Sequence, residues 1–395
     1  MLSQSRSGAV RPLSLALFCK VVDNYGDIGI CWRLARQLVH EHGIAVTLWV
    51  DDLHSFQRIC PEVTIAAELQ QVAMVTVRHW RDQDGTLTPT EIADIVIEFF
   101  GCDIPPGYIH AMSQCSPQPV WLNLEGLTAE AWVEGCHTLS SPHPTMRLTK
   151  HFFYPGFTSQ TGGLLAEAGI VQQALQFRQD QSAVHNFLAG LGLSEAEMAA
   201  LKISLFCYPQ APLAALLAAW EHGTQTITCL VPEGIGGAAV GAFLGLSPDA
   251  VASAGMVTSR GALTLRVLPF VPQADYDKLL WACDCNFVRG EDSFVRAQWA
   301  AQAFIWNIYA QDENLHHVKL KAFLQRYDIG SPALTALALA WNGASSDADW
   351  PALWSALAAD LPHIAAKSSG WQQQMLANGD LASNLLQFAQ TLRQK

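Results

Sequence analysis

Two short runs each place charged residues, a glycine and the start of a helix side by side. In the first, Asp23-Asn24-Tyr25-Gly26-Asp27-Ile28-Gly29 follows an apolar run and leads into the helical pattern opened by Ile30, Cys31, Trp32, Arg33 and Leu34. A turn from strand to helix in a doubly wound fold presents these two carboxylates at the mouth of a ligand-binding crevice. The same residues also have local uses: Asp27 as a helix N-cap, Asp23 as a turn residue, and Arg33 and Arg36 as partners of these acids or as solvated charges. In the second run, Arg289-Gly290-Glu291-Asp292-Ser293 separates an apolar stretch at 285–288 from a helix beginning near Phe294. A glycine turn, a serine and the free N–H groups of a helix start form an anion site, to which Arg289 adds a fork suited to phosphate. Glu291 can accept from a sugar or ribose hydroxyl, while Asp292 or Ser293 can instead cap the helix. Upstream, Phe270-Val271-Pro272-Gln273 offers an aromatic face and an amide to a nucleobase, and Tyr208 sits just beyond another apolar stretch, 203–207.

These residues need strands to carry them to one edge. Short β-rich runs at 15–22, 46–50, 74–79, 92–99 and 120–123 alternate with helical stretches such as 28–42, which predicts parallel strands joined by crossover helices. A second series supplies strands at 203–207, 226–231, 263–268, 285–288 and 304–309, with helices near 213–220, 276–282 and 294–303. The chain thus reads as α/β with two doubly wound, Rossmann-like units, 1–195 and 196–370. Residues 164–200 carry helical spacing and no strand, and residues 371–395 form a last helix that folds back to complete the first unit. In such folds ligands bind beyond the carboxyl ends of the strands, where both charged runs fall.

Composition removes several classes. With 395 residues, half of them hydrophobic, the chain can bury two cores. A formal charge of -12 gives no broad attraction to nucleic acid or anionic lipid. Ten scattered cysteines lack metal-ligand spacing and read as reduced core residues of a cytoplasmic protein. The apolar run 13–19 after Arg6 and Arg11 lacks a cleavage site, and no stretch is long enough for a membrane span. A dinucleotide site, with Asp51 on a ribose, is disfavoured because only Gly26 and Gly29 stand where three spaced glycines are wanted, and the acids would repel a pyrophosphate. Asp82 with Asp84, Asp347 with Asp349, His143, and the pair His316-His317 read as loop or structural residues, so no metal site is expected.

Several segments, in order, resemble the protein-arginine rhamnosyltransferases that modify translation elongation factor P, the EarP family. They are Phe18 to Gly29 with Trp32-Arg33-Leu34-Ala35-Arg36, Trp132 to His137, Ser141 to Pro144, Phe152 to Thr158 with Thr161 to Leu164, and Arg289 to Ala300. The resemblance implies a GT-B glycosyltransferase with two facing Rossmann-like domains and the active site in the cleft between them. The first would dock the acceptor protein and the second would hold the donor, TDP-β-L-rhamnose. It implies inverting transfer to an arginine that activates the factor, with no cofactor and no metal. Residue by residue, it makes Asp27 the base and Asp23 its companion, and it puts Tyr208, Phe270, Gln273, Arg289, Glu291, Asp292 and Ser293 on the donor; Asp23 or Glu291 is further expected to help Asp27 grip the arginine. A transferase with a lipid-linked or small-molecule acceptor, and a silent nucleotide-sugar sensor, remain as alternatives.

Overall fold

A computed structural model describes residues 12–23, 25–81, 88–247, 249–345 and 347–394. Its first sheet has eight strands: β1 (Ser14–Cys19), β2 (Ala45–Val50), β3 (Leu69–Val72), β4 (Val75–His79), β5 (Ile95–Phe99), β6 (Val120–Leu124), β7 (Ser140–Pro142) and β8 (Thr149–Phe153). They lie in the order β3-β4-β2-β1-β5-β6-β8-β7, parallel except for β3 on β4 and β7 on β8 at the two edges. The second sheet has six: β9 (Leu201–Leu205), β10 (Ile227–Pro232), β11 (Val257–Arg260), β12 (Leu263–Leu268), β13 (Cys285–Arg289) and β14 (Ala303–Asn307). Their order is β11-β12-β10-β9-β13-β14, with β11 alone antiparallel.

Central parallel strands are covered on both faces, so they read as unbroken apolar runs. Leu15-Ala16-Leu17-Phe18-Cys19 and Ile95-Val96-Ile97 are buried throughout. The edge strands β3 and β11 and the β7–β8 pair escape that signal because they carry Gln, Thr, Ser, Lys and His and stay partly open to water. In each sheet the strand order reverses once, between β1 and β5 and between β9 and β13. At such a reversal the neighbouring crossovers leave in opposite directions and open a crevice at the carboxyl ends.

Five helices position the site and are labelled here α1 (Gly26–His42), α2 (Gln273–Ala282), α3 (Asp292–Ala300), α4 (Trp350–Ala377) and α5 (Leu381–Arg393). Ile28, Cys31, Leu34, Ala35 and Leu38 form the apolar stripe that seats α1 on the first sheet. α4 lines the second core with Trp354, Leu357, Ile364, Trp371 and Met375. The chain breaks at Asn378 and Gly379, and Asp380 then caps α5 by accepting the Ser383 N–H at 3.0 Å. Leu381, Leu385, Leu386 and Ala389 of α5 join the first core. The expected single helix at 371–395 is therefore two segments on two cores. Residues 164–200 hold helices Ile170–Gln179, Gln181–Gly190 and Glu195–Ala199 and no strand, and Ile170, Ala174 and Leu188 pack among second-sheet residues.

Candidate active site

The loop after β1 turns into α1 with Tyr25 at the cap position and no side-chain cap. Asp27 is thus not the N-cap that its residue type suggests. Its Oδ2 reaches back to accept the N–H groups of Val22 at 2.7 Å and Asp23 at 2.8 Å, fixing the loop against the helix. Only 4% of Asp27 is exposed. Burial raises its carboxyl above the ordinary value despite those two donors, with Asp23 and Asp51 adding to the rise. Asp51, considered above for a ribose, accepts the Val21 N–H at 2.9 Å and braces the same loop.

Opposite, the loop after β13 enters α3 with Glu291 at the cap position, again without a side-chain cap. Neither Asp292 nor Ser293 caps the helix. The Ser293 hydroxyl donates to the Arg289 carbonyl and accepts the Arg289 N–H at 3.1 Å, closing the turn on itself. The Arg289 guanidinium lies 4.4 Å from the ring centre of Phe206 and 4.8 Å from that of Tyr208, and it donates to the Cys207 carbonyl at 3.2 Å. Stacking on two rings leaves a planar fork held in one orientation.

The two loops meet. Tyr208 donates its hydroxyl to Asp23 Oδ2 at 2.6 Å, and Glu291 Oε2 accepts the Leu127 N–H at 3.0 Å. Gly290 sits at φ +61°, where a Cβ would stand 3.1 Å from Asp23 Oδ2 and 3.2 Å from the Tyr208 hydroxyl, so this crossing demands glycine twice over. Burial pushes the Tyr208 phenol up, and Asp23 pushes it further. Burial likewise pushes the Glu291 carboxyl up to about 7; Asp27 and Asp23 contribute, and the Leu127 N–H and Lys319 oppose them. Phe270 meets Tyr25 across the cleft at 4.7 Å, and Gln273 donates to the Gly29 carbonyl at 2.9 Å and to Asp292 at 3.3 Å.

Two cavities flank the Asp23–Gly26 turn. One, of about 60 Å³, is lined by Phe206, Phe270, Gln273, Arg289, Asp292 and Ser293. The other, of about 370 Å³, is lined by Asp27, Glu125, Glu291, Phe100, Tyr309 and Lys319 among others. The structure therefore brings Asp23 and all seven second-half candidates to one cleft, with Asp27 on its acidic side. Sequence reasoning missed Glu125, Phe100, Tyr309 and Lys319. The first three follow directly, or nearly so, on β6, β5 and β14, and strand ends at a crevice were the available signal. Phe100 also holds φ +55°, a strained backbone for a bulky residue.

Other candidates resolve into structure. Arg33 is neither a partner of Asp23 and Asp27 nor solvated: it is 1% exposed and paired with Asp277 and Asp292. Arg36 is half-buried, its guanidinium 5.7 Å from the Trp32 ring. His143 accepts N–H groups of Thr145 and Met146, His316 accepts that of Gln311, and His317 bonds the Asn342 carbonyl. Asp349 caps α4, while Asp82 and Asp84 lie outside the described residues. Among the described residues no group of three or more His, Cys, Asp or Glu is arranged to hold a metal ion, and no helix is long and apolar enough to cross a membrane.

Known proteins resemble this chain. A protein-arginine rhamnosyltransferase of Pseudomonas putida is 48% identical over 377 residues, covering 94% of this chain and 97% of the relative. That of Pseudomonas aeruginosa is 44% identical with the same coverage. A solved structure described as the basis for EarP-mediated arginine glycosylation of translation elongation factor EF-P matches with 35% identity and a TM-score of 0.65, over 96% of this chain and 99% of that one. MurG of Acinetobacter baumannii, at 12% identity and a TM-score of 0.52 over 96% of this chain and all of its own, shares the fold, which is GT-B. From residue 15 to residue 390 the sequence matches the family described as Elongation-Factor P (EF-P) rhamnosyltransferase EarP, and the chain belongs to that family of protein-arginine rhamnosyltransferases.

Proposed function

We propose that this enzyme moves rhamnose, with inversion, from TDP-β-L-rhamnose to an arginine of translation elongation factor P in the cytoplasm, activating the factor. The observation that carries the reading is the division of the cleft: acids line the larger cavity, and an aromatic-backed arginine lines the smaller one across the Asp23–Gly26 turn. A guanidinium seeks carboxylates, whereas a diphosphate seeks a guanidinium and a helix start. Phe270 offers its face to the thymine, and Gln273, Asp292 and Ser293 serve the ribose and diphosphate beside Arg289.

The proton sets the order of events. A guanidinium holds its proton to a pKa above about 12, and an ordinary carboxylate sits near 4, so full transfer before bond formation would cost on the order of 11 kcal/mol or more. Asp27 and Glu291 are both shifted upward by burial, which narrows that gap without closing it. Asp27, with Asp23 and Glu291, therefore grips the guanidinium, aligns one nitrogen on the anomeric carbon, and takes the proton late, as the C–N bond forms. Arg289 and the uncapped start of α3 stabilise the departing diphosphate, so a chelator is expected to leave turnover unchanged.

The test incubates the enzyme with TDP-β-L-rhamnose and unmodified elongation factor P and reads intact mass, with an Asp27→Asn variant in parallel. Gain of one deoxyhexose on an arginine, nearly lost in the variant, is expected. TDP binding without any gain would move the acceptor assignment elsewhere.

A further inference from the structure

α1 carries Asp27 in its first turn and Arg33 six residues on. At about 1.5 Å of rise per residue, the two are about 9 Å apart along the axis, on one rigid element. Arg33 does not serve its own sheet. Its Nη1 and Nη2 each donate to Asp277 of α2 at 2.8 Å, and its Nε donates to Asp292 of α3 at 2.8 Å. Asp277 is shared with Arg296, which donates to it at 3.0 and 2.8 Å and also bonds Glu167. Burial acts against both arginine charges, but the surrounding acids outweigh it and raise both pKa values, while the two guanidiniums hold Glu167 down at about 2. The cluster spans the two units.

Most of this cluster can be read as glue, but one bond cannot. The Arg33–Asp292 contact reaches into the Arg289–Ser293 loop itself, and Asp292 also accepts from Gln273, whose amide donates to the Gly29 carbonyl of α1. A Cβ at Gly29 would come within 3.1 Å of Asp292 Oδ2 and 3.3 Å of Gln273 Nε2, so the helix is pressed against both residues. Transfer needs the nitrogen held by the first unit in line with the anomeric carbon held by the second, within about half an ångström.

Resting on the donor and base assignments above, we propose that Arg33 is a positioning residue for the transfer step: acting through Asp292, it sets the register between the helix that bears Asp27 and the loop that holds the donor. A merely structural role makes a different forecast. Asp277 receives four bonds from the two arginines, so Asp277→Asn should cost at least as much melting temperature as Arg33→Gln, yet it leaves the Arg33–Asp292 bond in place.

The experiment measures kcat, TDP affinity and melting temperature for wild type, Arg33→Gln, Asp277→Asn and Gly29→Ala. For Arg33→Gln, kcat should fall by about tenfold or more with TDP affinity within about threefold, whereas Asp277→Asn keeps kcat within about threefold. Gly29→Ala, which presses on the Asp292 carboxylate and Gln273 without removing a charge, should lower kcat as Arg33→Gln does, and it decides the matter if the arginine variant fails to fold. The inference is overturned if kcat follows melting temperature across the set, or if Arg33→Gln, or failing that Gly29→Ala, turns over at the wild-type rate. Wild type that binds TDP yet transfers no rhamnose sinks the functional reading instead. The register is then read from spin labels on the two units: Arg33→Gln should lengthen or broaden the distance, and an unchanged distribution overturns the inference.

Discussion

The loops after β1 and β13 each border the reversal of strand order in their own sheet, β1 on one side of it and β13 on the other, and each feeds a helix with no side-chain cap. Both helix starts carry the same partial positive charge. Yet the first loop brings Asp23 and Asp27 to its turn, and the second brings Arg289 and Ser293. What differs is how each loop uses its own backbone. Asp27 spends one oxygen on two N–H groups of its loop, so the acid is fixed and the amides are occupied. Ser293 ties the N–H and carbonyl of Arg289 and so holds an arginine in its loop where the first loop holds acids. A helix start does not decide the sign of its ligand; the side chains beside it do.

The comparison breaks most severely at Asp27. Asp27→Asn keeps the shape but loses the charge and one acceptor, and kcat should fall by about a thousandfold while TDP affinity holds within about threefold. A variant retaining a tenth of wild-type turnover would falsify the asymmetry at its centre. On the opposite wall, Arg289→Ala should weaken TDP binding by about 100-fold in calorimetry, and Arg289→Lys should recover only part, since an ammonium lacks the stacked fork. Full recovery by lysine would mean that charge alone suffices.

Glu291 sharpens the contrast because it belongs to the second loop yet faces the acids. Its carboxyl lies at about 7 in the folded protein against 4.5 ordinarily. A raised acid binds more protons folded than unfolded, so stability is full below about pH 4.5 and declines as pH rises towards 7. Melting temperature should decline over that window in wild type and less in Glu291→Gln. Turnover should rise through about pH 7 as the carboxylate forms, and that limb should flatten about tenfold in the variant. An unchanged limb would remove Glu291 from the acceptor's partners. The smallest effect at the cleft belongs to Leu385→Ala in α5: about 2 to 5 kcal/mol of stability lost from the first core, with TDP affinity unaltered.

Much of this was legible beforehand. The central strands announced themselves through apolar runs such as 95–97, and the two charged loops through acids, arginine and glycine at strand-to-helix turns. Glu125 was not legible, since a lone acid after Leu124 looks like any strand end until β6 is seen beside β5. Arg33 was misread because its partners lie 244 and 259 residues away, beyond the reach of any helical spacing rule. The cap readings of Asp27 and Asp292 failed for a related reason: residue type predicts which side chains can bond nearby backbone, and only the turn decides which N–H groups they meet.

The return of α5 to the first core also orders the birth of the molecule. Leu381, Leu385, Leu386 and Ala389 fill a face that β1, β5 and β6 have exposed since early in synthesis. While the ribosome is adding residues at about 5 to 20 per second, the second sheet and its helices can finish packing before the first unit receives its last helix. On the donor and acceptor assignments proposed above, a chain stalled before residue 381 should bind nucleotide sugar while its first core still lacks the face that Leu381, Leu385, Leu386 and Ala389 fill.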